Sequence, residues 1–199
     1  LSTGRIIENR RREAIEALSL GNAVRTITDL VRHGAEAHTV EQLFGVHRVI
    51  LRDTPDEYWG GRFREEGVQI TGARYQPPDH ALVPSLVERV LERLRRKDDM
   101  PGLFKACWAH WALARIHPFK DGNGRIARLW QDLVLFQDNL TCAIIGPQER
   151  REYLNALANA DEGRFDELVQ LVAQKVSMTF DRYLSALAED REFAAFIKE

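Results

Sequence analysis

Twelve consecutive residues, His117-Pro118-Phe119-Lys120-Asp121-Gly122-Asn123-Gly124-Arg125-Ile126-Ala127-Arg128, put a base, a carboxylate, a glycine-rich turn and two arginines into one short segment. Pro118 disfavours helical geometry in the residue before it, so a helix arriving from Trp108 must end near His117. That places the imidazole beside a loop, with an ordinary pKa near working pH. Gly122-Asn123-Gly124 tolerates unusual dihedrals, and its N–H groups can converge on an anion where the next helix begins. Arg125 and Arg128, at i and i+3, share one side of that helix's first turn. Cations are disfavoured at a helix start, and an anion held between the arginines would remove the conflict. Asp121 can hold a divalent cation beside such an anion, since magnesium usually takes one or two carboxylates plus phosphate oxygens. The set suits attack of a hydroxyl on a phosphate of a magnesium-bound nucleotide.

Other chemistries fit less well. A calcium loop needs carboxylates ahead of the glycine that Pro118-Phe119-Lys120 does not supply. No phosphate-binding loop of the G-x-x-x-x-G-K-S/T type occurs. His110, seven residues before His117, is the candidate second ligand for zinc, with a packed or surface histidine as the plainer reading.

The 199 residues make up about one domain's length. Of them, 44% are hydrophobic and 29% charged, enough to bury a core. With 28 lysines and arginines against 30 acids, the net charge of −2 argues against a dedicated nucleic-acid binder. Cys107 and Cys142 cannot make a disulfide framework or a complete cysteine zinc site, and free thiols in a reducing compartment are expected. No apolar run approaches the ~20 residues of a membrane helix, and no signal-peptide core opens the chain, so a cytoplasmic protein is expected. The first residue is Leu1, in keeping with a piece of a longer protein.

Periodicity predicts an all-α domain. Apolar residues repeat at helical spacing around Ala14–Val31, in a helix opened by Thr39 with Gln42 as a capping box, and from Leu82 to Leu94 after entry at Pro84. Ala106–Ile116 is apolar nearly all round, the mark of a central helix. Ile126–Phe136, Arg150–Ala160 and a long run from Phe165 to about Leu187 follow. Residues 59–80 break the pattern: glycines, Pro77-Pro78, and Val68, Ile70 and Tyr75 around Thr71-Gly72-Ala73 predict a short β-hairpin, with a surface loop as the alternative.

The twelve-residue segment resembles the signature of Fic-domain proteins, H-x-F-x-(D/E)-G-N-G-R-x-x-R, with every defined position filled. Gly61-Arg62-Phe63-Arg64, Val68 to Ala73 and Pro77-Pro78 resemble the family's approach to its flap. Tyr153-Leu154 through Gly163 resembles its nucleotide-side helix. The likeness runs from about residue 40 to 175, which suggests a helical extension over 1–40 and a Fic domain over 41–199.

This resemblance implies a Fic fold: a helical bundle around a central motif-bearing helix pair, with one small β-hairpin flap. It implies transfer of AMP from ATP to a Tyr, Thr or Ser hydroxyl of a target protein, with His117 as general base. Asp121 would hold Mg2+, and Gly122, Asn123 and Gly124 would form the anion nest. Arg125 and Arg128 would bind the β- and γ-phosphates, and Phe119 would anchor the loop. The flap, with Ile70, Thr71, Gly72 and Ala73, would border the nucleotide and dock the target near residues 68–76 by strand addition. Tyr153, Leu154 and Asp161 would contact adenine, although Leu154 and Asp161 stand where the family often has Tyr and Asn. Doc-type members carry Lys at the second glycine and transfer phosphate, so the intact Gly124 favours AMP transfer. Transfer of another nucleotide or phosphoryl group, removal of AMP, and nucleotide binding without chemistry are the alternatives.

The family is often inhibited by a helix with Ser or Thr, three residues, Glu, then Gly or Asn; its glutamate would pair with Arg128. Glu8-Asn9 has the final pair but Gly4 at the first position, and Ser185 with Glu189 has the spacing but Asp190 at the last. Such a segment can also lie upstream of Leu1 or on a partner chain. Phe193, Phe196 and Ile197 can support a homodimer or close the core.

Overall fold

The computed structural model describes residues 2–34, 38–70 and 75–196, with side chains described over 10–189 of these. Among the described residues seven α-helices occur: α1 Ser2–Arg32, α2 Val40–Leu51, α3 Val83–Arg95, α4 Gly102–Ile116, α5 Asn123–Gln137, α6 Arg150–Ala160 and α7 Asp166–Phe196. None of them is long and apolar enough to cross a membrane.

The middle of the fold is the α4–α5 pair, joined by the loop that carries His117 to Gly122 and packed together more extensively than any other two elements. Helix α4 buries Ala106, Cys107, Ala109, His110, Ala112, Leu113 and Ile116, as expected of a helix apolar on most sides. Small residues let the partner approach: a Cβ on Gly102 would stand 1.8 Å from a carboxylate oxygen of Asp138, the C-cap of α5. The α5 face turned inward includes Ile126, Trp130 and Leu133, all with no exposed surface.

The other helices brace this pair. Helices α1 and α2 pack on each other and on α5, and α1 sinks Ala23 and Ile27 completely. Helix α2 opens with the expected capping box: the Gln42 N–H donates to Thr39 Oγ1 at 3.3 Å, and the Thr39 N–H to Gln42 Oε1 at 3.2 Å. Helix α3 begins with Pro84 in its first turn and lies against α4, while α7 packs on α4 and α6. The outer part of α7 leaves Phe180, Tyr183, Leu184 and Leu187 about half exposed along one stripe.

The described parts of residues 59–80 do not take the strand pairing of the expected hairpin. Among the described residues no strand pairing occurs: 67–70 and 75–79 are irregular, and Thr71, Gly72 and Ala73 lie outside the described residues. Pro77 and Pro78 have no N–H to give a ladder, and the carbonyls of Glu66 and Pro78 are taken by the Arg64 guanidinium instead.

Candidate active site

His117 is the C-cap of α4. Its backbone turns left-handed (φ 51, ψ 59) while its N–H still bonds Leu113 O at 3.0 Å. The imidazole Nδ1 lies 3.1 Å from Ala114 O. A carbonyl can only accept, so Nδ1 carries the proton and the Nε2 lone pair is left for a substrate. Burial lowers the His117 pKa, Arg64 adds to that, and Ala114 O and Asp121 oppose it. The ring is therefore in its neutral, basic form at pH 7.

The loop after His117 is held by two side chains. Asn123, itself buried, accepts from the Phe119 N–H and donates to the Phe119 carbonyl, both at 2.8 Å. Its side chain therefore shapes the loop, and only its N–H is left for an anion. The second is His47 on α2, fully buried and stacked on Phe119 with ring centroids 3.7 Å apart. Its Nδ1 accepts from the Gly61 N–H at 3.0 Å, so the proton is on Nε2, which donates to Asp121 O at 3.0 Å. Burial lowers the His47 pKa to about 4, which keeps this pattern intact at neutral pH. Phe119 has no exposed surface and anchors the loop as expected.

Gly122 has φ +79, and a Cβ there would meet Ile50 Cδ1 at 3.1 Å and His47 Nε2 at 3.3 Å, so glycine is required. The first helical donation in α5 is from the Ile126 N–H to Gly122 O at 2.9 Å. The N–H groups of Asn123, Gly124 and Arg125 are thus the orphan donors at the helix start, where anions bind. The Arg128 guanidinium folds back over Gly124, whose Cβ position would lie 3.6 Å from Arg128 Nη1.

The two motif arginines have different surroundings. Arg125 is paired with Asp121 at 2.7 Å and also reaches Ile50 O at 3.4 Å, which settles its charge at the helix start. Arg128 has no ion pair among the described residues. Near it Tyr153 bonds His110, whose Nε2 is 2.9 Å from the hydroxyl. His110 is fully buried with its pKa lowered to about 3, a core histidine, and among the described residues it joins no group of three or more His, Cys, Asp or Glu that could hold a metal. One turn beyond Arg128, Asp132 accepts from the Ala143 N–H at 3.1 Å, and burial raises its pKa to about 7.

On the far side of α4, Asp161 caps α6 and uses both carboxylate oxygens: one accepts from Trp111 Nε1 at 2.9 Å, the other pairs with Arg115 at 2.7 Å. The Arg115 guanidinium also lies on the Tyr75 ring, 3.0 Å from its centroid. Leu154 is exposed on α6. A cavity of about 670 Å3 runs between α3 and α4 beside Tyr75, Trp111 and Arg115 and touches no residue of the loop from His117 to Arg128. Glu189 is exposed on the outer part of α7, and the side chains of Glu8, Asn9, Phe193, Phe196 and Ile197 lie outside the described residues.

His47 and Asp132 are the residues of this site that local patterns do not single out, and the roles of Arg64 and His110 are not among those the sequence suggests. Their only signal in the sequence is a polar type on an otherwise apolar helix face or beside the motif.

The central helical hairpin thus brings together a neutral histidine, a glycine-held helix N-terminus and an arginine with no ion pair among the described residues. The Fic/DOC family profile matches residues 37–135, and the chain belongs to that family. It is similar to the protein adenylyltransferase Fic of Culex quinquefasciatus, 32% identical over 176 residues, which are 87% of this chain and 35% of the relative. Fic-1 from C. elegans superposes with a TM-score of 0.79 at 25% identity over 90% of this chain and 53% of that one. The Bartonella tribocorum effector BepC, solved with bound AMPPNP, shares the fold at a TM-score of 0.56 and 14% identity, over 78% of this chain and 85% of that one. The chain spans about a third of the length of the curated relatives it matches.

Proposed function

We propose that this chain is a protein adenylyltransferase that moves AMP from ATP to a Tyr, Thr or Ser hydroxyl of a target protein. His117 Nε2 accepts the hydroxyl proton as the oxygen bonds to the α-phosphorus. The bond from that phosphorus to the bridging oxygen breaks, and pyrophosphate leaves with the electron pair. The N–H groups at the start of α5 and the Arg128 guanidinium receive the charge that builds on the phosphates, with Arg125 beside them. The observation that carries the reading is the His117 lone pair, made available by the Nδ1 bond to Ala114 O in the loop that leads into α5.

The donors suit a magnesium–nucleotide complex better than a resident metal. Among the described residues no group of three or more His, Cys, Asp or Glu could hold an ion, and Asp121 is a single half-exposed carboxylate already shared with Arg125. Asp121 would hold Mg2+, with phosphate oxygens completing the shell, and the ion supplies neutralisation of phosphate charge. Tyr153, Leu154 and Asp161 would contact the base, with Asp161 first leaving Trp111 and Arg115, and the segment of Ile70 to residue 76 would border the nucleotide and dock the target. An acidic segment from elsewhere in the protein, or from a partner chain, inhibits by occupying Arg128. Residues 41–199 are the transferase unit, with 1–40 as its helical extension.

The test is label transfer with Mg2+ from ATP labelled at the α- or the γ-phosphate, for the chain and His117→Ala together. Label from the α-position only, reduced about 10²–10⁴-fold in the variant, is expected. Label from the γ-position would make it a phosphotransferase, and bound ATP without transfer would make it a binding module.

A further inference from the structure

Arg64 is a buried guanidinium with no carboxylate in ion-pair distance among the described residues. Burying an unpaired cation is costly unless its donors are satisfied, and here backbone carbonyls satisfy them. Nε donates to His117 O at 2.8 Å, Nη1 to Glu66 O at 2.8 Å, and Nη2 to Pro78 O and, at 3.5 Å, to Ile116 O. The Arg64 N–H adds a bond to Pro118 O at 2.9 Å. One residue thus holds three successive peptide units, those of Ile116, His117 and Pro118, and both legs of the segment that brackets residues 71–74.

A cap for the end of α4 would need much less. Helix C-termini are commonly closed by one or two donors, and a cation there contributes modestly. Beyond the bonds to Ile116, His117 and Pro118, two of the Arg64 donations go to the flap legs, at Glu66 and Pro78. Two further ties join these parts among the described residues: Arg115 lies on the Tyr75 ring, and Lys120 pairs with Glu66 at 3.1 Å, an exposed contact that contributes little. The planar five-donor fork of arginine is the side chain that can bond several carbonyls at once; lysine is a point charge.

We propose that Arg64 is a positioning residue that sets both flap legs at a fixed place relative to His117, so that an acceptor docked on the flap presents its hydroxyl to Nε2. The inference rests on the transferase reading above. It makes the flap and the base one rigid unit, so that loosening the clamp lowers the rate of transfer at saturating nucleotide and leaves nucleotide affinity alone.

The experiment compares the full chain with Arg64→Lys, Arg64→Met and His117→Ala. Three quantities are read: label transfer from α-labelled ATP to the chain itself and to lysate proteins, affinity for AMPPNP with Mg2+, and amide exchange over residues 65–79 and 116–118. For Arg64→Met we expect a loss of about 10²-fold in transfer at saturating ATP, the scale of an ångström's misplacement. AMPPNP affinity should stay within about 2-fold of the unmodified chain, and exchange should rise in both segments together. Arg64→Lys should recover part of the rate. Unchanged transfer in Arg64→Met, or a loss of transfer matched by an equal loss of AMPPNP affinity, overturns the proposal. If the unmodified chain transfers no label, the transferase reading fails by itself; amide exchange then decides the clamp, and unchanged protection in Arg64→Lys and Arg64→Met refutes it.

Discussion

Replacing His47 by Phe isolates the hydrogen bonds that hold the candidate site from below. Phe keeps the ring that stacks on Phe119 at 3.7 Å and nearly keeps the volume, so no large cavity opens. It removes the acceptor for the Gly61 N–H and the donor for Asp121 O, both at 3.0 Å. His47 has no exposed surface, so the side of each backbone group that meets its ring is shielded from water. Each such group costs about 1–3 kcal/mol when left unpaired, so the pair lowers stability by roughly 2–6 kcal/mol unless the loop moves. If it moves to reach water, Asp121 and Gly122 move with it, and transfer falls by about 10²-fold. Urea unfolding and label transfer on the same preparation separate the two responses. Their sum is the prediction: a stable variant must be slow, and an active variant must be unstable. A His47→Phe protein within about 0.5 kcal/mol of the parent and within 3-fold of its transfer rate would refute the reasoning. His47→Ala should be worse than Phe in stability, because it adds a cavity to the same unpaired groups.

Gly122→Ala should lose transfer and about 1–3 kcal/mol in urea unfolding, from its left-handed backbone and the 3.1 Å approach to Ile50; a parent-like urea midpoint would contradict this. Gly102→Ala forces a methyl into Asp138 and should lower the melting temperature by about 2–10 °C by calorimetry, with transfer per folded molecule unchanged. Stability should rise with pH from about 4 to 6.5. His38 and His47 titrate near 4 and His110 near 3 when folded, each against 6.5 unfolded, so the unfolded chain binds more protons across that window. Asp132 works the other way: its folded pKa of about 7 against 3.8 makes stability fall as pH rises between those values. Three groups outweigh one, and a urea midpoint higher at pH 5 than at pH 7 would show that the assignment of buried neutral histidines is wrong.

What could be read from the sequence was local. Thr39 with Gln42, Pro84, and the stop at Pro118 act over a few residues, and the helices they predict match those observed. Arg150–Ala160 is the same at both ends. Part of the motif loop was local too: the stop of α4 at His117 before Pro118 and the left-handed turn at Gly122 are set within a few residues. The shaping role of Asn123 was less legible, because a side chain bonded to both polar groups of Phe119 looks in sequence like one more nest residue. The bracing was not legible. His47 meets Asp121 across 74 residues and Arg64 meets His117 across 53, and tertiary packing rather than spacing brings them together. The irregular course of residues 67–70 and 75–79 has a similar origin. An alternating apolar pattern states which residues prefer a strand, but not that a guanidinium elsewhere will take the carbonyls a ladder needs.

The Asn123–Phe119 closure means the loop reaches its working shape when the chain folds, with no help from a nucleotide. A site of this kind has no assembly step that a regulator could withhold. If the chain is the adenylyltransferase proposed above, its control would come from obstruction: something that fills the space over Arg128 and the start of α5, or covers the flap, and departs to restore activity. Release from such a block should show a rate set by the departure of the obstruction and insensitive to ATP concentration, followed at once by full turnover.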